Sequence, residues 1–539
     1  MQESGMENAA GFIQEGAALG NQYLSDEVLR AWLARHMPAE TLRAIEPGLE
    51  SLGARAAGEM LALTAEAEGQ PPQHIPYDAW GRRIDHIEVS AAWEALHRIA
   101  AEEGIVATGY ERKQGEWSRL HQFARLHLYT PSSAIYSCPL AMTDGAARVI
   151  ELFGDERLKQ EILPHLLSRD PAQFWTSGQW MTERSGGSDV SGTSTEARQE
   201  QGAWRLYGTK WFTSATTSEV ALTLAKDPEI DGKLSLYLLQ LRDGSGKLND
   251  IFVHRLKDKL GTWALPTAEL TLQGTPAVRV GEPGKGVKQI ATVLNITRLY
   301  NAVSAVSYMR RGIALATDYA KKRRAFGKLL IEHPLHRETL ADLEAEYAGA
   351  LHLVLSLGRL LGRAEIGMAS PVETMLLRLL TPIAKLYTAK QSITTASEVL
   401  ECFGGAGYVE DTGLPRLLRD CQVLSIWEGT TNVLSLDVLR VLEDPEAFRA
   451  YTADMQARVA KMQGQVLEPF AVQIAEELVG VGTWLQTSTK DRAVLERGAR
   501  RLSYNLARVY ISALLGEACA EGWVDQEVVH RWCFKCSHR

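Results

Sequence analysis

The sequence predicts an α+β multidomain chain: an N-terminal helical domain, a central antiparallel β domain, and a C-terminal helical bundle with a helical extension. Three observations predict it. A helical period of apolar residues runs from Ser25 to about Arg169, gives way near Asp170-Pro171 to short runs bounded by turn residues, and returns after Gly284-Lys285-Gly286. The corresponding spans are 1–170, 171–283, 284–440 and 441–539. A length of 539 residues accommodates them, at roughly 100–200 residues per domain.

Each element has its own reason. Ser25-Asp26-Glu27 supplies capping chemistry ahead of Val28, Leu29, Trp32 and Leu33, which form one apolar stripe. Gln70-Pro71-Pro72-Gln73-His74-Ile75-Pro76 is too rich in proline for a helix and reads as an extended connection. Helical patterning resumes at Ala91. In the middle, 204–212, 220–225, 234–241 and 268–272 are rich in Val, Leu, Thr, Tyr and Trp and read as strands, ending near Val280. Long helices follow at about 286–321, 336–366 and 372–401, with another after Thr430. Leu340, Leu343, Tyr347, Leu351, Val354 and Leu355 mark a buried bundle face.

Composition narrows the classes. Hydrophobic residues make up 45% and charged residues 23%, ordinary globular values. A net charge of −8 argues against a surface that seeks nucleic acid as a whole. No apolar run approaches the ~18 residues that span a bilayer, so no membrane partner is expected. The acidic start, Met1 to Glu7, reads as neither signal nor transit peptide, and six cysteines are too few for a disulfide framework. A soluble, cytoplasmic chain is expected.

Three segments bear on chemistry. The first is Gln179 to Val190, where a strand enters a Gly186-Gly187-Ser188 turn whose bare amides and hydroxyls suit a carbonyl-rich ring or a phosphate. Alone it reads as an ordinary surface turn. It is no Walker or Rossmann loop. The second, Gly404-Gly405-Ala406-Gly407-Tyr408, permits close backbone approach by a ligand or neighbour, or ends a helix. The third is Ile426 to Asn432, with Glu428 in apolar and hydroxylated company. Such surroundings raise a carboxyl pKa toward general-base use, although a lone Glu more often serves as a surface or helix-start charge.

Together these segments resemble the acyl-CoA dehydrogenase flavoproteins. Thr182-Glu183 with Gly187-Ser188-Asp189, then Trp211-Phe212-Thr213, Arg323 to Lys328, Phe403 to Tyr408 and Trp427 to Thr430 match that family's motifs in order. Gln179 to Glu183, Ile426 to Gly429, Leu436 to Arg440, the long N-terminal region and the C-terminal extension resemble its adaptive-response, AidB-like branch.

The resemblance implies bound FAD, an acyl-CoA substrate, a homotetramer, and an electron-transfer flavoprotein or another acceptor. It places Met181, Thr182, Gly187 and Ser188 against the flavin ring and pyrophosphate, and Trp211, Phe212 and Thr213 along its other edge. Arg323, Phe326, Gly404 and Gly405 would meet a neighbour's FAD, and Thr430 and Asn432 complete the cofactor set. Glu428 would be the base that removes the proton α to the thioester while hydride leaves the β carbon for flavin N5. Ser188, Asn295, Arg298 and Gly429 would line the substrate side. Two positions depart from the family: Asn295 stands where an Asp usually precedes Arg298, and Glu401 where Gln is usual beside the glycines.

The alternative the branch implies is a flavoprotein that mainly binds acyl-CoA or DNA, as part of an alkylation response, with little turnover. Lys490 to Arg508 holds six basic and two acidic residues, with Arg497, Arg500, Arg501 and Arg508 on one helical face. That face neutralises a few phosphates, or is a solvated or interface surface. His530, Cys533, Cys536 and His538 contain one zinc-like spacing but lack a second Cys-x-x-Cys, so no metal is expected.

Overall fold

A computed structural model describes residues 14–462, 464, 466–488 and 491–537, with side chains to 533. The N-terminal region holds helices α1 (Glu27–His36), α2 (Ala39–Ala57) and α3 (Glu59–Gly69). A hairpin follows, β1 (Gln73–Tyr77) and β2 (Arg83–Glu88). Then come α4 (Ala91–Glu102), α5 (Ala107–Glu111), α6 (Ser118–Tyr129), α7 (Ser137–Phe153), α8 (Glu156–Glu161) and α9 (Leu163–Leu166). The expected cap forms at Asp26, whose carboxylate accepts the Leu29 N–H and locks the start of α1. The proline-rich connection is extended, and it also pairs: β1 and β2 run antiparallel, with a register shift between Ile75 and Tyr77. Asp85 ties this hairpin onward, accepting His74 Nε2 at 2.8 Å and the Val253 N–H at 3.2 Å.

The middle of the chain is a sheet of seven strands: β3 (Ser177–Gln179), β4 (Glu196–Glu200), β5 (Ala203–Ser214), β6 (Val220–Lys226), β7 (Leu234–Gln240), β8 (Ile251–Leu256) and β9 (Thr267–Val280). The path runs β3-β6-β4-β5-β9-β7, with β8 on β9, and the pairing of β7 with β6 closes it on itself. Pairing is antiparallel except for β3 on β6 and one bridge of β4 on β6. Closure leaves few open edges.

Helix α10 (Gly286–Ala320) opens the bundle. After a short hairpin of β10 (Arg324–Ala325) and β11 (Lys328–Leu329) come α11 (Pro334–Glu365), α12 (Pro371–Cys402), α13 (Pro415–Leu424) and α14 (Thr431–Leu442). The predicted apolar face of α11, from Leu340 to Leu355, is buried. The extension contributes α15 (Pro445–Val459), α16 (Glu468–Ser488), α17 (Arg492–Ala520) and α18 (Gln526–Ser537). Helix α17 packs on α11, α12 and α14, and Leu506, Ile511 and Trp532 join the same apolar core as Leu351. No helix among the described residues is long and apolar enough to cross a membrane.

One buried polar network ties these layers. Arg119 of α6 donates to both oxygens of Asp144 on α7, at 2.9 and 2.7 Å, and to both of Glu365 on α11, at 2.6 and 2.8 Å. Tyr300 of α10 donates to Asp144 at 2.8 Å, and Gln122 donates to Tyr300 Oη at 2.8 Å. Four helices thus share one desolvated cation and two carboxylates, each satisfied by the others.

Candidate functional site

A cavity of about 860 Å³ lies where the sheet, α7, α10 and the turn before α14 meet. Glu428 sits on that turn. Its backbone is left-handed (φ 57°), as is that of Gly429 (φ 105°), so the carboxylate is presented on a sharp reversal between α13 and α14. Three groups from the bundle fix it. Thr297 of α10 donates its hydroxyl to the Glu428 carboxylate at 2.5 Å. Arg298 Nε donates to the Glu428 backbone carbonyl at 3.3 Å. From α12, Lys385 Nζ donates to the Gly429 carbonyl at 2.6 Å. Burial pushes the Glu428 carboxyl above its usual range, and Thr297, Arg298 and Lys385 pull it only part of the way back. Burial also brings the Lys385 ammonium down to about 7.

A second acid near Glu428 is committed elsewhere. Asp437 lines the cavity but accepts Arg298 Nη1 at 2.8 Å and Arg378 Nη2 at 2.9 Å. Burial raises its carboxyl, but Arg378 and Arg298 prevail and hold it below the usual range. Of these two acids, only Glu428 has its carboxyl raised.

The opposite wall comes from the sheet. Met181, Thr182, Gly187, Ser188 and Phe212 line the cavity, and so does Ser214. At Gly187 any Cβ would run into the Thr182 hydroxyl, so only glycine lets the turn close on it. The turn is held from behind by Glu183, which accepts the amides and hydroxyls of Ser194 and Thr195 and, at 2.9 Å, the buried Lys210 Nζ. Burial alone would raise its carboxyl; the Lys210 charge and the two hydroxyls overcome this and bring it down to about 2. Stability from Glu183 is full above the ordinary carboxylate range and is lost as pH falls toward about 2. Acid scans of the thermal midpoint should accordingly fall less steeply between about pH 4.5 and 2 in the double variant Glu183→Gln, Lys210→Met than in the parent. Parallel curves would contradict it.

Strand phase decides which residues of β5 face the cavity. Thr213 is buried and donates its hydroxyl to the Ala268 carbonyl at 2.8 Å within the sheet. Trp211 lies under the cations of Arg184 and Lys257. The pairing of β5 with β9 shifts register between Lys210 and Thr213, and that bulge turns Phe212 and Ser214 into the cavity in place of Trp211 and Thr213.

Family models match almost the whole length of the chain. The acyl-CoA dehydrogenase middle and C-terminal domains match residues 178–275 and 284–443, the AidB N-terminal domain 15–171, and the acyl-CoA dehydrogenase 11 C-terminal domain 446–537. Acyl-CoA dehydrogenase family member 11 of Caenorhabditis elegans is 44% identical over 97% of this chain and 89% of its own length. The chain belongs to the acyl-CoA dehydrogenase family.

AidB of Escherichia coli (strain K12) is 34% identical over 71% of both chains, which puts this acyl-CoA dehydrogenase beside the AidB-like members. A crystal structure of the C. elegans protein, ACDH-11, in complex with C11-CoA superposes with a TM-score of 0.95 at 42% identity, covering 98% of this chain and 93% of that one. The apo form of Bd2924 gives 0.87 at 54% identity, covering 94% and 100%. The family reaction class is oxidoreduction of acyl-CoA thioesters.

The remaining expected site residues of this acyl-CoA dehydrogenase divide between the cavity and a separate hollow. Asn295, Arg298, Gly429 and Thr430 line the cavity. Asn432 does not; its side chain accepts from Arg500 at 3.5 Å. Arg323, Gly404 and Gly405 line a hollow of about 570 Å³ together with Glu401 and His336. Arg323 donates to Gln14 Oε1 at 3.0 Å and makes no ion pair with Glu401 among the described residues. Phe326 stands 95% exposed on the β10–β11 hairpin.

No motif singles out Thr297, Lys385 or Asn301, and Gln179 stands in the sequence only as part of a signature. Each is a solitary polar residue within a patterned element, and only the fold brings it to Glu428 or to the cavity wall. Among the described residues no group of three or more His, Cys, Asp or Glu side chains is placed to hold a metal ion. The side chain of Cys536, and Lys490 and His538, lie outside the described residues.

Proposed function

We propose that the protein is an FAD-dependent acyl-CoA dehydrogenase in which Glu428 removes the proton α to the thioester. The observation that carries this reading is the setting of Glu428: a partly buried carboxyl on a left-handed turn, raised in pKa, lining a cavity and oriented by Thr297. The first amides of α14 adjoin it. Thr430, the residue before that helix, makes no side-chain cap, so these N–H groups are free of a cap and fit a thioester oxygen. Arg298 and Lys385 hold the two consecutive carbonyls of Glu428 and Gly429, which keeps the carboxylate in one orientation.

The residues fit FAD. The sheet wall offers the flat Phe212 ring, the Ser214, Thr182 and Ser188 hydroxyls and the bare Gly187 backbone, and the cavity is large enough for ring and thioester together. Bound there, FAD supplies the acceptor for hydride leaving the β carbon. The separate hollow supports the shared-site reading. Gly404 has φ 59° with open space where a Cβ would stand, and Arg323 beside it offers a cation to a diphosphate brought by another subunit. A homotetramer and an electron-transfer flavoprotein or similar acceptor belong to this proposal.

The test of the cofactor is direct: the purified chain, reconstituted with FAD, should show flavin absorbance at about one equivalent per chain. A chain that takes up none contradicts the reading. Arg323→Ala should weaken FAD retention more than Arg324→Ala, and equal retention would remove the shared site.

A second reading, DNA binding, is favoured by one observation: Arg497, Arg500 and Arg501 are exposed on α17. Charge reversal of all three to Glu should abolish salt-sensitive, sequence-independent DNA binding and leave flavin content unchanged. Binding that persists in that variant would place the DNA site elsewhere.

A further inference from the structure

Lys385 of α12 is wholly buried, at 0% exposure. Its ammonium donates to the Gly429 carbonyl at 2.6 Å and makes no ion pair among the described residues. An ammonium taken out of water and left without an anion is costly. The anion that answers it is Glu428, the residue before the carbonyl it holds. Burial lowers the Lys385 ammonium, and Glu428 pulls it back up. Burial raises the Glu428 carboxyl, and Thr297, Arg298 and Lys385 pull it down. Arg298 is not equivalent to Lys385, because its Nη1 donates to Asp437 at 2.8 Å and a carboxylate already answers its charge. Asp437 also holds Arg378, at 2.9 Å. Three other groups bear on the pair. The Lys390 ammonium of α12 opposes the Lys385 charge, the Gln179 amide of β3 donates to Glu428, and burial and then the Glu428 charge push the Cys138 thiol of α7 up to about 12. Of the two cations that act on Glu428, Lys385 is thus the one with no carboxylate of its own.

Resting on the reading of Glu428 as the base, we infer that Lys385 is a positioning residue whose ammonium, fixed on the Gly429 carbonyl, is the counter-charge that keeps Glu428 a carboxylate until the thioester binds. A base must be ionised before its substrate arrives, and burial works against that at Glu428. Lys385 acts through the turn that carries the base, not on substrate or cofactor. With the ammonium down at about 7, the counter-charge is present at and below neutral pH, where Glu428 needs it, and fades above. A neutral side chain at this position would leave Glu428 protonated up to a higher pH.

Rapid anaerobic mixing of the FAD-loaded full chain with an acyl-CoA that bleaches the parent gives a second-order rate of flavin reduction, whose pH profile reports the base in the free enzyme. In Lys385→Met the rising limb should move to higher pH by about one pH unit or more, a loss of about tenfold on the limb, with rates converging to within about threefold above it. Lys385→Arg keeps the charge and should restore the parent profile. Lys385→Gln keeps a donor for the carbonyl but not the charge, so it should behave as Lys385→Met and replaces it if that variant does not fold. A uniform loss at every pH, with the limb unmoved, would make the role purely structural and overturn the assignment. A parent whose rate still rises above about pH 9 would overturn it without any variant, because Glu428 would then not be held ionised. Failure of every acyl-CoA to bleach the parent would overturn the dehydrogenase reading, and this one with it; that result is distinct from bleaching with an unmoved limb.

Discussion

Glu428→Gln is expected to fold, to keep FAD and to bind acyl-CoA, yet to lose reduction of the flavin by acyl-CoA. The substitution keeps the size of the side chain and removes the base. Asp437, which also lines the cavity, is held as the carboxylate by Arg298 and Arg378 and cannot take over. Positioned bases contribute about 10²–10⁴-fold, and loss of a base whose carboxyl is raised in its site should fall at or above the top of that range. Stability should move the other way. A carboxyl whose folded pKa is raised costs stability at every pH above its ordinary value, so the neutral amide should lift the thermal midpoint. Rapid mixing and a melting curve on the same variant read both effects. Reduction within tenfold of the parent would assign the base to another residue.

Removal of Arg119 should produce the largest loss of stability in the molecule. The guanidinium is 1% exposed and shared between Asp144 and Glu365, themselves buried. Arg119→Met leaves two carboxylates without their counter-charge, and breaking such a network costs about 3–5 kcal/mol. Arg35→Ala is the control: its pair with Glu521 is half exposed, and such pairs contribute about 0–1 kcal/mol. Urea midpoints of the two variants should separate clearly. Equal midpoints would mean that the network is structurally idle. Because Tyr300 of the same network also lines the cavity, Arg119→Met should weaken acyl-CoA binding too.

The helices were legible because their apolar faces repeat over many turns; α10, α11 and α12 each fall within two residues of the predicted ends. Strand β4 was not. Glu196 to Glu200 is almost wholly polar, with Ala197 alone buried, and its pairing comes from β5 across a tight turn. The β1–β2 hairpin was hidden by prolines, which mark extended backbone without saying whether it pairs. Which residues of β5 face the cavity was illegible for a sharper reason: a bulge shifts side-chain phase by one, and no residue in Lys210 to Thr213 announces it. Glu428 was visible because its turn carries a motif. Thr297 lies 131 positions before it in sequence, and Lys385 and Asn301 sit within long helices where one polar residue looks like any other. Their meaning comes only from what packs against them.

Anaerobic mixing of the FAD-loaded protein with a panel of acyl-CoAs of graded length and polarity, followed by flavin absorbance, tests Glu428 as the base of a dehydrogenase. At least one thioester should bleach the flavin in the parent, and none should in Glu428→Gln. Thioesters that bind and perturb the spectrum but never bleach it would contradict the dehydrogenase reading and leave a binding protein built on a dehydrogenase fold.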